Sequence, residues 1–163
     1  MQITLKQFKE MKACEEALIV FQKEWPTGVV SLSDLFKYLD NEHKDDWTNW
    51  LFTNLPGNIN ENLAHFKGCK NLTTLYLSNT QISDIGLTYF KDCKNFTILS
   101  LGNTQISDAG LAHFKDCKNF TVLSLGNTQI SDIGLTHFKD CKNLRTLYLS
   151  NTQISDIGLT YFK

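Results

Sequence analysis

From Leu63 onward the apolar residues fall on a fixed 24-residue beat. Leu87, Phe90, Cys93, Phe96, Leu99 and Leu101 are followed by Thr104 and Ile106, and the same order recurs in each unit. Four copies run without insertion, Leu63–Gly86, Leu87–Gly110, Leu111–Gly134 and Leu135–Gly158, and a fifth opens at Leu159 and reaches Lys163. A strict period of this length predicts a solenoid in which each unit packs on its neighbours. Within a unit, Phe96-x-x-Leu99-x-Leu101 alternates as a short strand does, with Leu99 and Leu101 turned inward. Ser107-Asp108 supplies helix-capping oxygens, and Leu111–Lys115 a short helical face. Gly110 sits in the entry turn, where a missing side chain lets backbone come close. Each unit is therefore predicted to be strand, tight turn, short helix and return.

The first 62 residues have a helical pattern instead. Thr4-x-x-Gln7 reads as a capping box opening one helix through about Glu24, with Leu5, Phe8, Met11, Ala17, Leu18 and Phe21 on its apolar face. Trp25-Pro26-Thr27-Gly28 ends it. Ser31-x-x-Asp34 opens a second helix over Leu32–Leu39. A third, Asp45–Leu55, carries Trp47, Trp50, Leu51 and Phe52 before Pro56-Gly57 stops it. Residues 1–62 are expected to form a helical capping domain for the array at 63–163, with Asn60–Lys67 as a hybrid first helix.

The repeat resembles the leucine-rich repeat, L-x-x-L-x-L-x-x-N/C-x-L, with Thr80, Thr104, Thr128 and Thr152 in place of the Asn or Cys. The following Gln-Ile-Ser-Asp-x-Gly-Leu is similar to the T/S-D-x-G-L variant of bacterial leucine-rich-repeat proteins, related to the cysteine-containing subclass. Here the cysteine lies in the return from the helix, so that subclass's cysteine roles do not carry over. The resemblance implies an α/β leucine-rich-repeat solenoid, right-handed, with a parallel sheet on the concave side and helices on the convex side. It also implies partner recognition from the sheet. Four strands about 4.8 Å apart make a sheet roughly 20 Å wide. The segment Ala13–Leu18 with Phe21, and later Trp47-x-x-Trp50-Leu51, is similar to a helical module found before repeat arrays in bacterial and phage proteins; it implies a prokaryotic origin and no particular activity.

Charge sharpens the boundary near Leu63. Residues 1–62 hold six Lys and ten acidic residues, net −4; residues 63–163 hold ten basic residues and seven Asp, net +3. The whole chain is near neutral, which points to no polyanionic partner. The N-terminus lacks the apolar core of a signal peptide, and no run approaches membrane-spanning length. Five cysteines without a C-x-x-C pair disfavour a disulfide framework or zinc site. These features lead to the expectation of a cytoplasmic setting, with no membrane partner.

Most repeating columns read as architecture. Cys69, Cys93, Cys117 and Cys141 take apolar slots as small buried hydrophobes. The Thr80 column is placed to hydrogen-bond the turning backbone. Asn79, Asn103, Asn127 and Asn151 belong to the turn, and Gln81, Gln105, Gln129 and Gln153 point outward. Two lysine stripes, starting at Lys67 and Lys70, are interleaved by Asp92, Asp116 and Asp140 and lack an aromatic platform, so a neutralised convex face is expected and no nucleic-acid binding. His65, His113 and His137 share a column with Tyr89 and Tyr161, and His43 stands apart, so imidazole forms no site. No phosphate loop, nucleophile elbow or metal set is present, and no enzyme, cofactor or metal is expected.

Specificity can reside only where the repeats differ. The outward strand columns read Thr74, Ile98, Val122, Thr146, then Tyr76, Ser100, Ser124, Tyr148, then Ser78, Gly102, Gly126, Ser150, flanked by Arg145. A small, partly apolar centre with a tyrosine on either side is a candidate protein-binding saddle. The same pattern is what duplication of paired repeats leaves behind, and the residues alone do not separate the two. The function expected is a non-enzymatic protein-interaction module using this face. The alternative is a scaffold whose N-terminal helices do the recognising. The edge of the last strand, Leu147–Leu149, carries Leu and Phe at its rim; either the array continues or another chain covers it, and the expectation is self-association through this C-terminal repeat.

Overall fold

In the computed structural model, strand β1 (Gln2–Thr4) pairs antiparallel with β2 (Val29–Ser31), placing Ile3 opposite Val30. The structure describes residues 1–42, 44–67 and 69–162. His43 and Lys163 lie outside the described residues.

The capping box at Thr4 forms as expected, with Gln7 N donating to Thr4 Oγ1 at 3.2 Å and Thr4 N donating to Gln7 Oε1 at 2.9 Å. The single helix expected through Glu24 does not form. It divides into α1 (Leu5–Glu10) and α2 (Glu15–Glu24), with Lys12 between them in the left-handed region at φ 60°. Packing explains the break. In one straight helix Phe8 and Phe21 would lie about 20 Å apart along the axis; folded back, their rings meet at 4.7 Å. The two short strands, which alternation did not reveal, close this turn-back. Helix α3 (Leu32–Asn41) begins at Ser31, whose hydroxyl accepts from Asp34 N at 3.1 Å, and α4 (Asp45–Asn54) follows. A short helical turn, α5 (Ile59–Asn62), leads into the array.

Strands β3 (Thr74–Tyr76), β4 (Ile98–Ser100), β5 (Val122–Ser124) and β6 (Thr146–Tyr148) pair in parallel, in chain order. Their register is set by the 24-residue period, so Leu75, Leu99, Leu123 and Leu147 stand side by side. A four-residue α-turn starting at each repeat's Asp, followed by a 3-10 turn, forms the convex layer: α6 (Asp84–Leu87), α7 (Asp108–Leu111), α8 (Asp132–Leu135) and α9 (Asp156–Leu159). The architecture is that of an α/β leucine-rich-repeat solenoid.

Three kinds of bond tie one unit to the next. The Asp that recurs at one position of each unit reaches forward: Ser131 N donates to Asp108 Oδ1 at 2.8 Å, and Ser131 Oγ donates to Asp108 Oδ2 at 2.6 Å. Asp84 holds Ser107, and Asp132 holds Ser155, in the same way. Each Cys Sγ donates to the carbonyl of the preceding Cys, Cys93 to Cys69 at 3.1 Å and Cys117 to Cys93 at 3.2 Å. Phenylalanine rings form a continuous spine from Phe36 and Phe52 through Phe66, Phe90 and Phe96 to Phe120 and Phe138. The core therefore runs unbroken from the N-terminal helices into the array.

The outer edge of β3 is met by side chains of α4. Asp45 Oδ2 accepts from Thr73 N at 2.9 Å and Thr74 N at 3.0 Å; Asn49 Oδ1 accepts from Tyr76 N at 2.7 Å while its amide donates to Thr74 O at 3.0 Å. Residues four apart on a helix lie one turn apart, and this rise matches the two-residue repeat of a strand edge. The helix thus offers β3 the donors and acceptor that a neighbouring strand would. Asp40 does likewise for the return loop, accepting from Lys70 N and Asn71 N at 2.8 and 2.7 Å.

The forward carboxylate fits because the facing residue is glycine. A Cβ on Gly134 would lie 2.4 Å from Asp108 Oδ1. An alanine normally stabilises a helix position by up to about 1 kcal/mol over glycine. Gly134→Ala is expected to do the reverse, costing about 1–3 kcal/mol through overpacking, as read by urea denaturation.

Candidate functional site

The sheet register assembles the outward columns predicted from the repeats. Tyr76, Ser100, Ser124 and Tyr148 lie in one row across β3 to β6, and Thr74, Ile98, Val122 and Thr146 in the next. Three strand spacings separate the tyrosines, about 14 Å. Tyr76 is 41% exposed and Tyr148 59%, whereas the residues between them are half-buried. The floor is lowered beside them by Gly102 and Gly126, where a Cβ would come within 3.3 and 3.1 Å of the next strand's carbonyl oxygen. Ser78 Oγ and Ser100 Oγ lie 2.8 Å apart and form a polar spot at the β3 side.

Three of the candidate residues are placed differently. The Thr74 hydroxyl is engaged by α4, 3.3 Å from Asp45 Oδ2 and within reach of the Asn49 amide. Arg145 stands at the beginning of β6, at the edge of the face, beside a cavity shared with Lys142 and Phe162. Its column partners Thr97 and Thr121 turn their hydroxyls onto the preceding repeat's carbonyl, at 3.2 and 3.1 Å. Ser150 is exposed in the turn that follows β6. The compact part of the face is therefore Tyr76, Ser78, Ile98, Ser100, Val122, Ser124, Thr146 and Tyr148.

The other columns do structural work. Thr80, Thr104, Thr128 and Thr152 donate to the carbonyl three residues back at 2.5–2.7 Å. Asn79, Asn103, Asn127 and Asn151 all take positive φ, 54–60°, which explains an Asn at this corner. Their amides also join across repeats, Asn103 to Asn79 at 2.9 Å and Asn151 to Asn127 at 2.7 Å. On the convex face Lys94 pairs with Asp116 and Lys118 with Asp140, each at 3.1 Å. Both carboxyls are held below the usual carboxylate range by the lysine hydrogen bond and charge.

Burial pushes the thiols of Cys69 and Cys93 up to about 12 and that of Cys117 up to about 11. Thiolate, the nucleophilic and metal-binding form, is disfavoured there. Burial lowers the pKa of His65, with the chain's N-terminal charge adding to the effect, and burial also lowers that of His137. Among the described residues no group of three or more His, Cys, Asp or Glu is placed to hold a metal ion. No helix among them is long and apolar enough to cross a membrane.

The residues that sequence reasoning missed are Asp40, Asp45 and Asn49. The i, i+4 spacing of Asp45 and Asn49 was their one signal, and it acquires meaning only beside an open strand edge.

Residues 53–163 match the family model described as the BspA type leucine-rich-repeat region, in six copies. Among solved structures the chain is similar to internalin C2 of Listeria monocytogenes, with 32% identity over 59% of this chain and 38% of that one, at a TM-score of 0.49. It is also similar to the internalin inlF of the same organism, with 31% identity over 63% of this chain and 29% of that one, at 0.48. The chain thus spans less than two fifths of either. Comparison with curated proteins finds no match.

Two measurements probe these environments. Cys14 is exposed and the other four thiols are buried, so native protein should take up iodoacetamide at Cys14 alone, and at every cysteine once unfolded, by mass spectrometry. The folded chain favours neutral His137, below the ordinary value of 6.5. Above that pH both folded and unfolded states are neutral; as the pH falls through it, the unfolded chain protonates first and stability drops. The urea midpoint is expected to decline between pH 7 and 5, and to decline less in His137→Tyr, since Tyr89 and Tyr161 already occupy this column.

Proposed function

This chain belongs to the BspA-type leucine-rich-repeat family, and on that footing we propose that it is a non-enzymatic protein-interaction module whose concave sheet holds the partner. The observation that carries the reading is the pair of exposed tyrosines standing on an otherwise small-residue sheet. Tyrosine brings a large apolar ring with a polar tip and loses little freedom on binding, which makes it a common interface anchor. Between them, Ile98 and Val122 offer apolar contact and Ser100 and Ser124 offer hydroxyls. The strands carrying the two tyrosines stand about 14 Å apart, on the scale of one helix, whose diameter with side chains is about 10–12 Å.

Residues 1–62 act, in this reading, as the cap that occupies the first strand's edge. The hydrogen bonds of Asp45 and Asn49 to β3 support that role. A reducing setting such as the cytoplasm suits a chain whose five cysteines are all free.

Tyr76→Ala and Tyr148→Ala, separately and together, are the test. Partner captured from native lysate on the immobilised chain is identified and its affinity for each variant measured. Each substitution is expected to weaken binding about tenfold or more, while Ile133→Ala, at an exposed convex position, leaves it unchanged. Undiminished capture by the double variant would sink the concave-face reading; loss with Ile133→Ala would move the interface to the convex side.

A further inference from the structure

Apart from the concave face, the N-terminal helices enclose an aromatic cavity of about 220 Å³. Rings follow one another around it: Trp50 to Phe8 at 6.0 Å, Phe8 to Phe21 at 4.7 Å, Phe21 to Trp25 at 5.3 Å, and Trp25 to Tyr38 at 5.2 Å. Leu35 and Leu39 close the floor. The break between α1 and α2 lies at the rim, where Lys12, at φ 60°, is part of the lining. Lys12 and Cys14 are exposed and mark the mouth; Ala17, buried, forms part of the wall.

An apolar cavity of about 150 Å³ stays dry and holds a benzene ring, so this one has room for one or two fused rings. Its wall presents both ring faces and ring edges, and aromatic guests gain from offset and edge-to-face contacts of this kind. Lys12 is the single charged residue in its lining, and among the described residues it makes no ion pair. We propose that this cavity binds a planar aromatic carboxylate of one or two rings, with the rings inside and the carboxylate at the mouth beside Lys12. No charged wall residue competes with the buried end, and the acid remains in water, where its desolvation cost is small.

The probe is 2-naphthoate, titrated into the full chain by isothermal calorimetry, with the alkylation rate of Cys14 by iodoacetamide as a second reading. Saturable one-to-one binding that shields Cys14 is expected. Ala17→Phe fills the cavity and is expected to weaken binding at least tenfold; Ala13→Leu, nearer the mouth, reads the same effect should Ala17→Phe fail to fold. Lys12→Gln is expected to weaken 2-naphthoate about two- to fivefold, the range of an exposed ion pair, and to leave neutral 2-naphthol unchanged. Absence of saturable binding overturns the proposal. So does equal binding by a folded cavity-filled variant, binding that leaves Cys14 unshielded, or equal loss of both probes in Lys12→Gln. Partner capture through Tyr76 and Tyr148 is independent of every one of these readings.

Discussion

No 24-residue unit of this chain can satisfy its own backbone, and besides the strand ladder it is the carboxylate each unit extends to the next that meets that constraint. Asp108 supplies two oxygens to the N–H and hydroxyl of Ser131, and charge-assisted bonds of this kind contribute about 1.5–3 kcal/mol. The glycine opposite must lack a side chain for the carboxylate to arrive, so Asp, Ser and Gly form one device spread over two units. The buried Leu, Phe and Cys columns then stack because the units are already held in register. At the first step, Asn60 takes the Asp position. Its amide oxygen accepts from Ser83 N at 3.1 Å and Ser83 Oγ at 3.3 Å, longer than the carboxylate bonds further along. The helices at that end add Asp40, Asp45 and Asn49 to the same junction.

The array was readable because its information is local and repeated. Period, strand alternation and the apolar columns placed every Leu and Phe of the core, and the register of Tyr76, Ser100, Ser124 and Tyr148 followed by arithmetic. Local pattern gives the Asp only the role of a helix cap. Its forward reach to a serine 23 residues later is a contact between units, and only the Asp–Ser–Gly geometry makes it visible. The N-terminal part was harder because its determinants are not periodic. Thr4, Ser31 and the span of α4 were evident from caps and breakers, yet the break at Lys12 depends on Phe8 finding Phe21, a tertiary contact that overrides an unbroken helical pattern. The aromatic cavity inherits that difficulty, since its lining is drawn from α1, α2, α3 and α4 and is assembled only by their packing.

Two surfaces of different character result. The sheet is a shallow, open face whose tyrosines provide area without enclosure, suited to another macromolecule. The cavity among the N-terminal helices is recessed, open at one mouth and mostly apolar in its lining, suited to a small guest. They sit on opposite sides of α4, which lends Asp45 and Asn49 to the sheet edge and Trp47 and Trp50 to the cavity. The one helix is thus structurally common to both.

The forward carboxylate also has a direction. Its acceptor always precedes its donor along the chain, by 23 residues. A nascent chain therefore presents each carboxylate before the serine that needs it has been synthesised. Every unit leaving the ribosome meets a carboxylate already in place behind it, although the strand N–H groups of the unit behind, Leu77 N to Ser100 O among them, still wait for the new unit's carbonyls.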